Sequence, residues 1–306
     1  MSVSISPARD ALIIGCGYLG VALAHKLIRQ GVTVSGTTRG TARASELSES
    51  GVQPLILDVT QPLTFAAMRK ALESDLLDVY YLIPPGRVWA GELHDDPALR
   101  GVANILAALD NAWVHRAVLA SSTAVYGQTG GDRVDAETIP QPADDRAKRL
   151  LHIERLWLEA GPAYRVVRLA GLYGRDRIVG LGSVRRGHPL VGDPYAMLNL
   201  LHVDDAAELL PALARCDRAR QVELASDGSP VPRIEYYQDL AKRVGVPPPR
   251  LIDDETAALE LGLNLDRLRR VSSKRCDPAP TSRRTGWQPR YRHFRDGLDE
   301  LLPQPV

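Results

Sequence analysis

The chain has little cysteine. Cys16, Cys216 and Cys276 are the three in 306 residues, and their spacing suits neither a disulfide framework nor a metal site. It lacks an apolar run long enough to span a bilayer, and Met1 to Asp10 lacks the basic start and apolar stretch of a secretory signal. It also lacks an excess of either charge: 38 Lys and Arg stand against 37 Asp and Glu, with no basic block and no aromatic–basic interleaving. Neither a nucleic-acid partner nor a membrane is therefore expected, and the chain reads as a soluble cytoplasmic protein. Internal repeats and low-complexity tracts are absent, and the length allows one large domain or two small ones.

What is present begins with an apolar run, Ala11 to Ile14. It leads directly into Gly15-Cys16-Gly17-Tyr18-Leu19-Gly20 and then into the helix-like stretch Val21 to Gln30. Strand, glycine turn and helix follow one another as in a dinucleotide-binding unit. Gly15 permits the tight turn, Gly17 lets backbone approach a pyrophosphate, and Gly20 lets helix and strand pack closely. The amides and dipole where the helix starts, at Tyr18 and Leu19, favour phosphate charge. The plain alternative is a structural turn in which Cys16 is a small filler.

Gly31 can end that helix, and Val32 to Gly36 alternates as a second strand should. An acid near the end of this strand would bind the ribose 2′-hydroxyl of NAD, but the chain reads Thr37-Thr38-Arg39. A guanidinium matches phosphate with paired donors, so the reading favours NADP over NAD; the alternative is a solvated loop arginine. A third strand from Pro54 runs to Asp58-Val59, where Asp58 either accepts from the adenine amino group or caps the next turn.

A fourth strand, Leu77 to Ile83, meets the forced turn Pro84-Pro85-Gly86. A helix is expected over Pro97 to Asp110, and a fifth strand, Ala117 to Ala120, ends on Ser121-Ser122-Thr123. Asp144 to Glu159 reads as a helix with Ala147, Leu150, Ile153 and Trp157 on one stripe and Leu151 and Leu158 on a second. Tyr164 to Leu169 is a sixth strand. Strands alternating with helices imply an α/β, Rossmann-type doubly wound parallel sheet with its ligand at the carboxyl ends of the strands. The glycine turn, Thr38, Arg39, Pro84, Pro85 and Ser121 fall at such ends. Residues 1–171, joined by segments near 198–225, are expected to form this NADP-binding domain. Residues 172–306 are expected to form mainly a smaller α/β substrate-binding domain, interleaved with the first. Strands near Leu198 to Val203 and Gln221 to Leu224 are expected to return to the nucleotide domain, with Asp204 and Asp205 capping a helix from Ala206. Further helices are expected at Tyr236 to Val244 and Leu259 to Arg270.

Several motifs in order resemble one family: Gly15 to Gly20, Leu119-Ala-Ser-Ser-Thr-Ala-Val-Tyr-Gly127, Arg168-Leu-Ala-Gly-Leu-Tyr-Gly174 and Asn199-Leu-Leu-His-Val-Asp-Asp-Ala206. The chain resembles an extended short-chain dehydrogenase/reductase of the NAD-dependent epimerase/dehydratase family, and within it the atypical YeeZ-like branch. The resemblance implies a nicotinamide cofactor, a substrate oxygen held at Ser122 or Thr123, and a Tyr with a Lys four residues later for proton transfer. It also implies a homodimer built on the Pro97 and Asp144 helices.

The chain departs from that pattern at the Tyr/Lys pair. No tyrosine has a lysine four residues on, and aligning Glu154 with the family's acid puts Arg146 at the tyrosine position and Leu150 at the lysine position. Arginine cannot donate a proton at ordinary pH. Tyr126 and Tyr173 are the candidate replacements, beside the reading that both pack in loops; Lys148 and His152 share one helix face. His202 reads as a core histidine. Two functions stay open: an NADP-dependent oxidoreductase or epimerase of a small polar, sugar-like substrate, and a non-catalytic NADP(H) sensor.

Overall fold

A computed structural model describes residues 10–61, 68, 76–86, 91, 95–109, 113–128, 130–262 and 272–302. Seven strands form its main sheet: β1 (Asp10–Ile14), β2 (Val34–Thr38), β3 (Gln53–Ile56), β4 (Leu77–Tyr81), β5 (Val114–Ser122), β6 (Tyr164–Leu169) and β7 (Val222–Ala225). Their order is β7-β6-β5-β4-β1-β2-β3, and the pairings from β3 through β2, β1 and β4 to β5 are parallel. The order reverses between β1 and β4, the place where an open α/β sheet leaves a crevice at its carboxyl edge. The helices of this part are α1 (Tyr18–Arg29), α2 (Thr41–Glu49), α3 (Pro97–Ala108), α4 (Asp145–Glu159) and α5 (Val203–Arg215).

Composition explains the strands. β1 is a near-continuous apolar run, and β4 and β6 are buried along their whole length, as parallel strands covered on both faces are, with Asp78, Arg165 and Arg168 buried among their apolar residues. Leu12, Val79, Tyr81, Ile105 and Trp157 belong to one core cluster. Trp157 anchors α4 there, its ring 5.5 Å from that of Tyr81 and 5.2 Å from that of Tyr164. The first apolar stripe of α4 therefore faces the sheet, and Leu156 and Leu158 pack against the same cluster.

The chain divides into two compact units. The first holds residues 1–121, 149–167 and 206–223; the second holds 122–148, 168–205 and 224–306. This division does not coincide with the one expected at residue 171. Residues 122–148 go with the second unit because the strand Asp132–Val134 pairs in parallel with Lys274–Cys276. The expected strand near Leu198 to Val203 does not return to the main sheet either: Leu200–His202 pairs with Gly171–Tyr173. Of the two returning segments, only Val222–Ala225 joins the main sheet.

In the second unit Tyr173, Tyr236, Leu240, Phe294 and Leu298 form a separate core. Helices cover Arg233–Arg243 and Asp254–Leu261; the latter stops at Gly262, in the left-handed conformation, and the remainder of the helix expected to Arg270 lies outside the described residues. α5 starts at Val203, three residues before the expected Ala206. Asp205 does not cap it; its carboxylate accepts from the amides of Arg290 (2.8 Å) and Tyr291 (3.1 Å), tying the C-terminal segment to the unit. Among the described residues no helix is long and apolar enough to cross a membrane. No group of three His, Cys, Asp or Glu among them is placed to hold a metal ion.

Asp227, buried just beyond β7, gives this unit a pH dependence. Burial, with the nearby Asp205 and Asp296 carboxylates, pushes its pKa up to about 8, against the pull of the Ser229 amide that donates to it at 2.9 Å. The folded protein thus holds a proton that the unfolded chain releases near pH 4. The associated stability is complete below about pH 4 and is lost as pH rises to about 8. Asp227→Asn keeps an acceptor for Ser229 and cannot ionise. Its Tm relative to wild type is expected to rise by about 2 °C or more between pH 5 and pH 8.5. A difference that does not change with pH would contradict this assignment.

Candidate functional site

The first unit builds its site around the glycine turn. Gly15 has φ +97°, and its amide donates to the buried Thr37 hydroxyl at 2.8 Å, while the Cys16 amide donates to the Thr37 carbonyl at 3.0 Å. Thr37 is therefore a strut that holds the turn on the end of β2. A Cβ on Gly20 would lie 2.5 Å from the Gly15 carbonyl oxygen, so the close packing of α1 on β1 requires glycine there. A Cβ on Gly17 would meet nothing within 4 Å. That open space lies at the N-cap of α1, where no side chain caps the helix and no acid occupies the first turn. Unhindered backbone at Gly17 and the partial positive charge of the helix start suit a pyrophosphate. Tyr18 is half-buried and Leu19 buried at the start of α1, and Cys16 fills the space beside Gly36, with burial pushing its thiol up to about 12.

The end of β2 carries no carboxylate. Thr38 is half-buried and Arg39 is exposed. Arg43, in the first turn of α2, is a second exposed guanidinium; it donates to the Cys16 carbonyl at 3.4 Å and pairs with Glu46 at 2.5 Å. The sequence reading missed Arg43, which stands in the first turn of α2, four residues after Arg39. Asp58, exposed after β3, accepts from the amide (2.9 Å) and hydroxyl (2.8 Å) of Thr60, and these bonds hold its carboxyl below its ordinary range. It caps its own turn, one of the two roles expected. Val59 is buried against Gly101, and Asn104 donates to its carbonyl at 2.9 Å.

Beyond β4, Pro84 is exposed and Pro85 buried; the Ile83 side chain fills the space on Gly15. Ser121 differs from its expected cofactor contact. It is buried, and its hydroxyl donates to Glu154 at 2.5 Å, which links β5 to α4. Leu150, at the expected lysine position, is 2% exposed within the core.

The remaining candidates, His152 apart, belong to the second unit. Ser122 is half-buried, and its oxygen accepts from the Ala124 amide at 3.1 Å; its O–H has no acceptor among the described residues. Thr123 is buried and hydrogen-bonds the Cys276 thiol. Lys274, two residues before Cys276 and on the same strand face, is buried; burial lowers its pKa, and its ammonium donates to Ser272 at 2.8 Å.

The two tyrosines do not meet the role offered to them. Tyr126 is 0% exposed; its hydroxyl donates to the Asp135 carbonyl (2.6 Å) and accepts from Arg168 (2.7 Å), whose guanidinium also lies over the ring. Tyr173 is also 0% exposed, packed edge-on to His202 with Phe294 in the same core, and burial raises its pKa far above the phenol range. A proton donor needs access to substrate and a pKa near the working pH. Tyr173 fails both requirements, and Tyr126 fails the first. His202 is a core histidine, stacked on Tyr291 and accepting from the Asp204 amide at 3.2 Å. Lys148 is exposed and paired with Asp145, and His152 is half-buried beside Arg155.

A sequence profile of the NAD dependent epimerase/dehydratase family matches residues 11–225, and the chain belongs to that family. Protein YeeZ of Escherichia coli K12 is 27% identical over 252 residues, covering 79% of this chain and 86% of its own length. The 3-diazoavenalumate denitrifying reductase of a Streptomyces species is 26% identical over 306 residues, covering 92% and 96%. A functionally unknown conserved protein from Silicibacter pomeroyi superposes with a TM-score of 0.77 at 25% identity, over 96% of this chain and 98% of that one.

The two glycines of the turn make separable predictions. Gly20→Ala forces backbone apart and should cost about 1–3 kcal/mol, read as a lower Tm. Gly17→Ala should leave Tm nearly unchanged while weakening dinucleotide binding about tenfold or more, because its methyl occupies the pyrophosphate space. Equal binding by Gly17→Ala and wild type in a fluorescence titration would refute the cradle.

Proposed function

We propose that the protein is an NADP-dependent oxidoreductase or epimerase acting on a small polar, sugar-like substrate. The observation that carries this reading is the first unit's cradle: open space at Gly17, with exposed Arg39 and Arg43 where an NAD-binding carboxylate would stand. Gly15, Gly17 and the first amides of α1 would hold the pyrophosphate, and Arg39 with Thr38 the 2′-phosphate. When bound, the nicotinamide supplies hydride transfer.

The chain's own groups do the rest. The Ser122 hydroxyl, its proton uncommitted among the described residues, is the group suited to hydrogen-bond the substrate's reacting oxygen and to stabilise it as negative charge develops. Tyr126 and Tyr173 are set in the packing of the second unit, so this enzyme does not use the proton-transfer pair of its family in its usual form. The Streptomyces relative is by name a reductase, which supports the class of reaction. Burial of both tyrosine hydroxyls is also what a non-catalytic NADP(H) sensor would show, and the same experiment distinguishes the two.

NADPH is expected to bind at least about tenfold more tightly than NADH, since a charge-assisted phosphate contact contributes about 1.5–3 kcal/mol. Arg39→Ala should remove that preference; equal wild-type affinities would refute it. In a screen of carbonyl compounds and sugar nucleotides, Ser122→Ala should lower turnover about 10²-fold with NADPH affinity nearly unchanged. No wild-type turnover across the screen, together with NADPH-dependent binding of a protein partner, would replace the enzyme reading with the sensor.

A further inference from the structure

Arg149 is the least expected charge in the first unit. It lies in α4 beside Leu150, its side chain is 6% exposed, and it pairs with Asp96, whose side chain is 1% exposed. Its Nη1 donates to the Asp96 Oδ2 at 2.7 Å. Asp96 Oδ1 accepts from the Ala98 amide at 2.7 Å and so caps α3. The other arm of the fork, Nη2, donates to the Gly86 carbonyl at 2.7 Å. One buried cation therefore fixes the start of α3, the body of α4 and the loop that leaves β4.

Two features go beyond a structural ion pair. Gly86 is exposed at the carboxyl end of β4, beside β1 and its glycine turn: Ile83 packs on Gly15, and the Leu82 amide donates to the Ile14 carbonyl at 2.9 Å. The other feature is the Arg149 Nε, which is buried with no hydrogen-bond partner among the described residues. Native proteins rarely leave such a donor unmatched, and a buried ion pair is a poor source of stability compared with apolar packing. A dinucleotide whose pyrophosphate lies at Gly17 crosses the carboxyl edge of the sheet. Its adenosine half lies toward β2, so its other half passes the end of β4.

We infer that Arg149 is a positioning residue for the nicotinamide half of the cofactor. It holds the Pro84–Gly86 loop in place through the Gly86 carbonyl; its buried Nε, unmatched among the described residues, is a cost to stability that placement of this loop accounts for. This rests on the dinucleotide reading of the first unit. The role differs from that of Arg39, which serves the adenosine half by direct contact, whereas Arg149 acts on the other half through the loop it holds.

The test separates the halves. Wild type, Arg149→Met and Arg149→Lys are titrated with ADP, which lacks the nicotinamide half, and with NADPH and NADH. Because removing one partner of a buried pair can unfold the protein, the double variant Arg149→Met/Asp96→Asn is included; its asparagine can still cap α3 without leaving a lone charge. The expected result is an ADP affinity within about twofold of wild type and a dinucleotide affinity lowered about tenfold in the methionine variants, partly restored in Arg149→Lys. Unchanged dinucleotide affinity would overturn the inference. An equal loss for ADP and dinucleotide in a folded variant would also overturn it, since Arg149 would then support the whole cradle. Wild type that binds neither ADP nor dinucleotide would overturn the cofactor reading itself, an outcome distinct from both.

Discussion

The approach of α1 to the glycine turn sets the rest of the first unit. Gly20 sits so close to the Gly15 carbonyl that a single methyl would collide with it. That contact sets the N-terminus of α1, which no side chain caps, at the carboxyl edge of the sheet. Thr37 fixes the turn to β2 through its hydroxyl and carbonyl, so Thr38 and Arg39 emerge beside it. Ile83 seats the β4 loop on Gly15, and Arg149 fixes the far end of the same loop. Open space at Gly17, at the N-terminus of α1, is the consequence of these short-range contacts.

The second unit is organised by burial of polar groups. Asp205 binds two amides of the C-terminal segment, Tyr126 is held between Arg168 and the Asp135 carbonyl, and Tyr173 is enclosed with His202. Each arrangement uses a residue that its motif would assign to chemistry or capping. Ser122 is the exception: it ends β5 half-exposed, with its proton uncommitted to any described acceptor. α4 contains no tyrosine, and Arg146 and Leu150 stand where the resemblance led a Tyr and a Lys to be expected.

Much of the first unit was legible because local signals coincide there. An apolar run, a glycine turn and an amphipathic stretch read the same way by strand period, turn chemistry and helix period, and β1, α1 and β6 lie where those patterns place them. The second unit was less legible because its small sheets join distant segments. No local pattern in Asp132–Val134 tells that it pairs with Lys274–Cys276, or that Leu200–His202 leaves the main sheet for Gly171–Tyr173. Tyr126 and Tyr173 follow motif strands and invite a catalytic reading, yet whether a loop tyrosine faces substrate or core depends on partners such as Arg168, 42 residues away. Arg149 was invisible for the same reason: its partners Asp96 and Gly86 are 53 and 63 residues distant.

The central claim is that the first unit is a phosphate-binding cradle completed by the β4 loop. Hydrogen–deuterium exchange with and without NADPH tests it most directly. The account predicts slowed exchange at residues 15–21, at 39–43 and at Gly86, with little change in the core of the second unit around Tyr236 and Phe294. Exchange that is unaltered at 15–21 while NADPH is bound would contradict it.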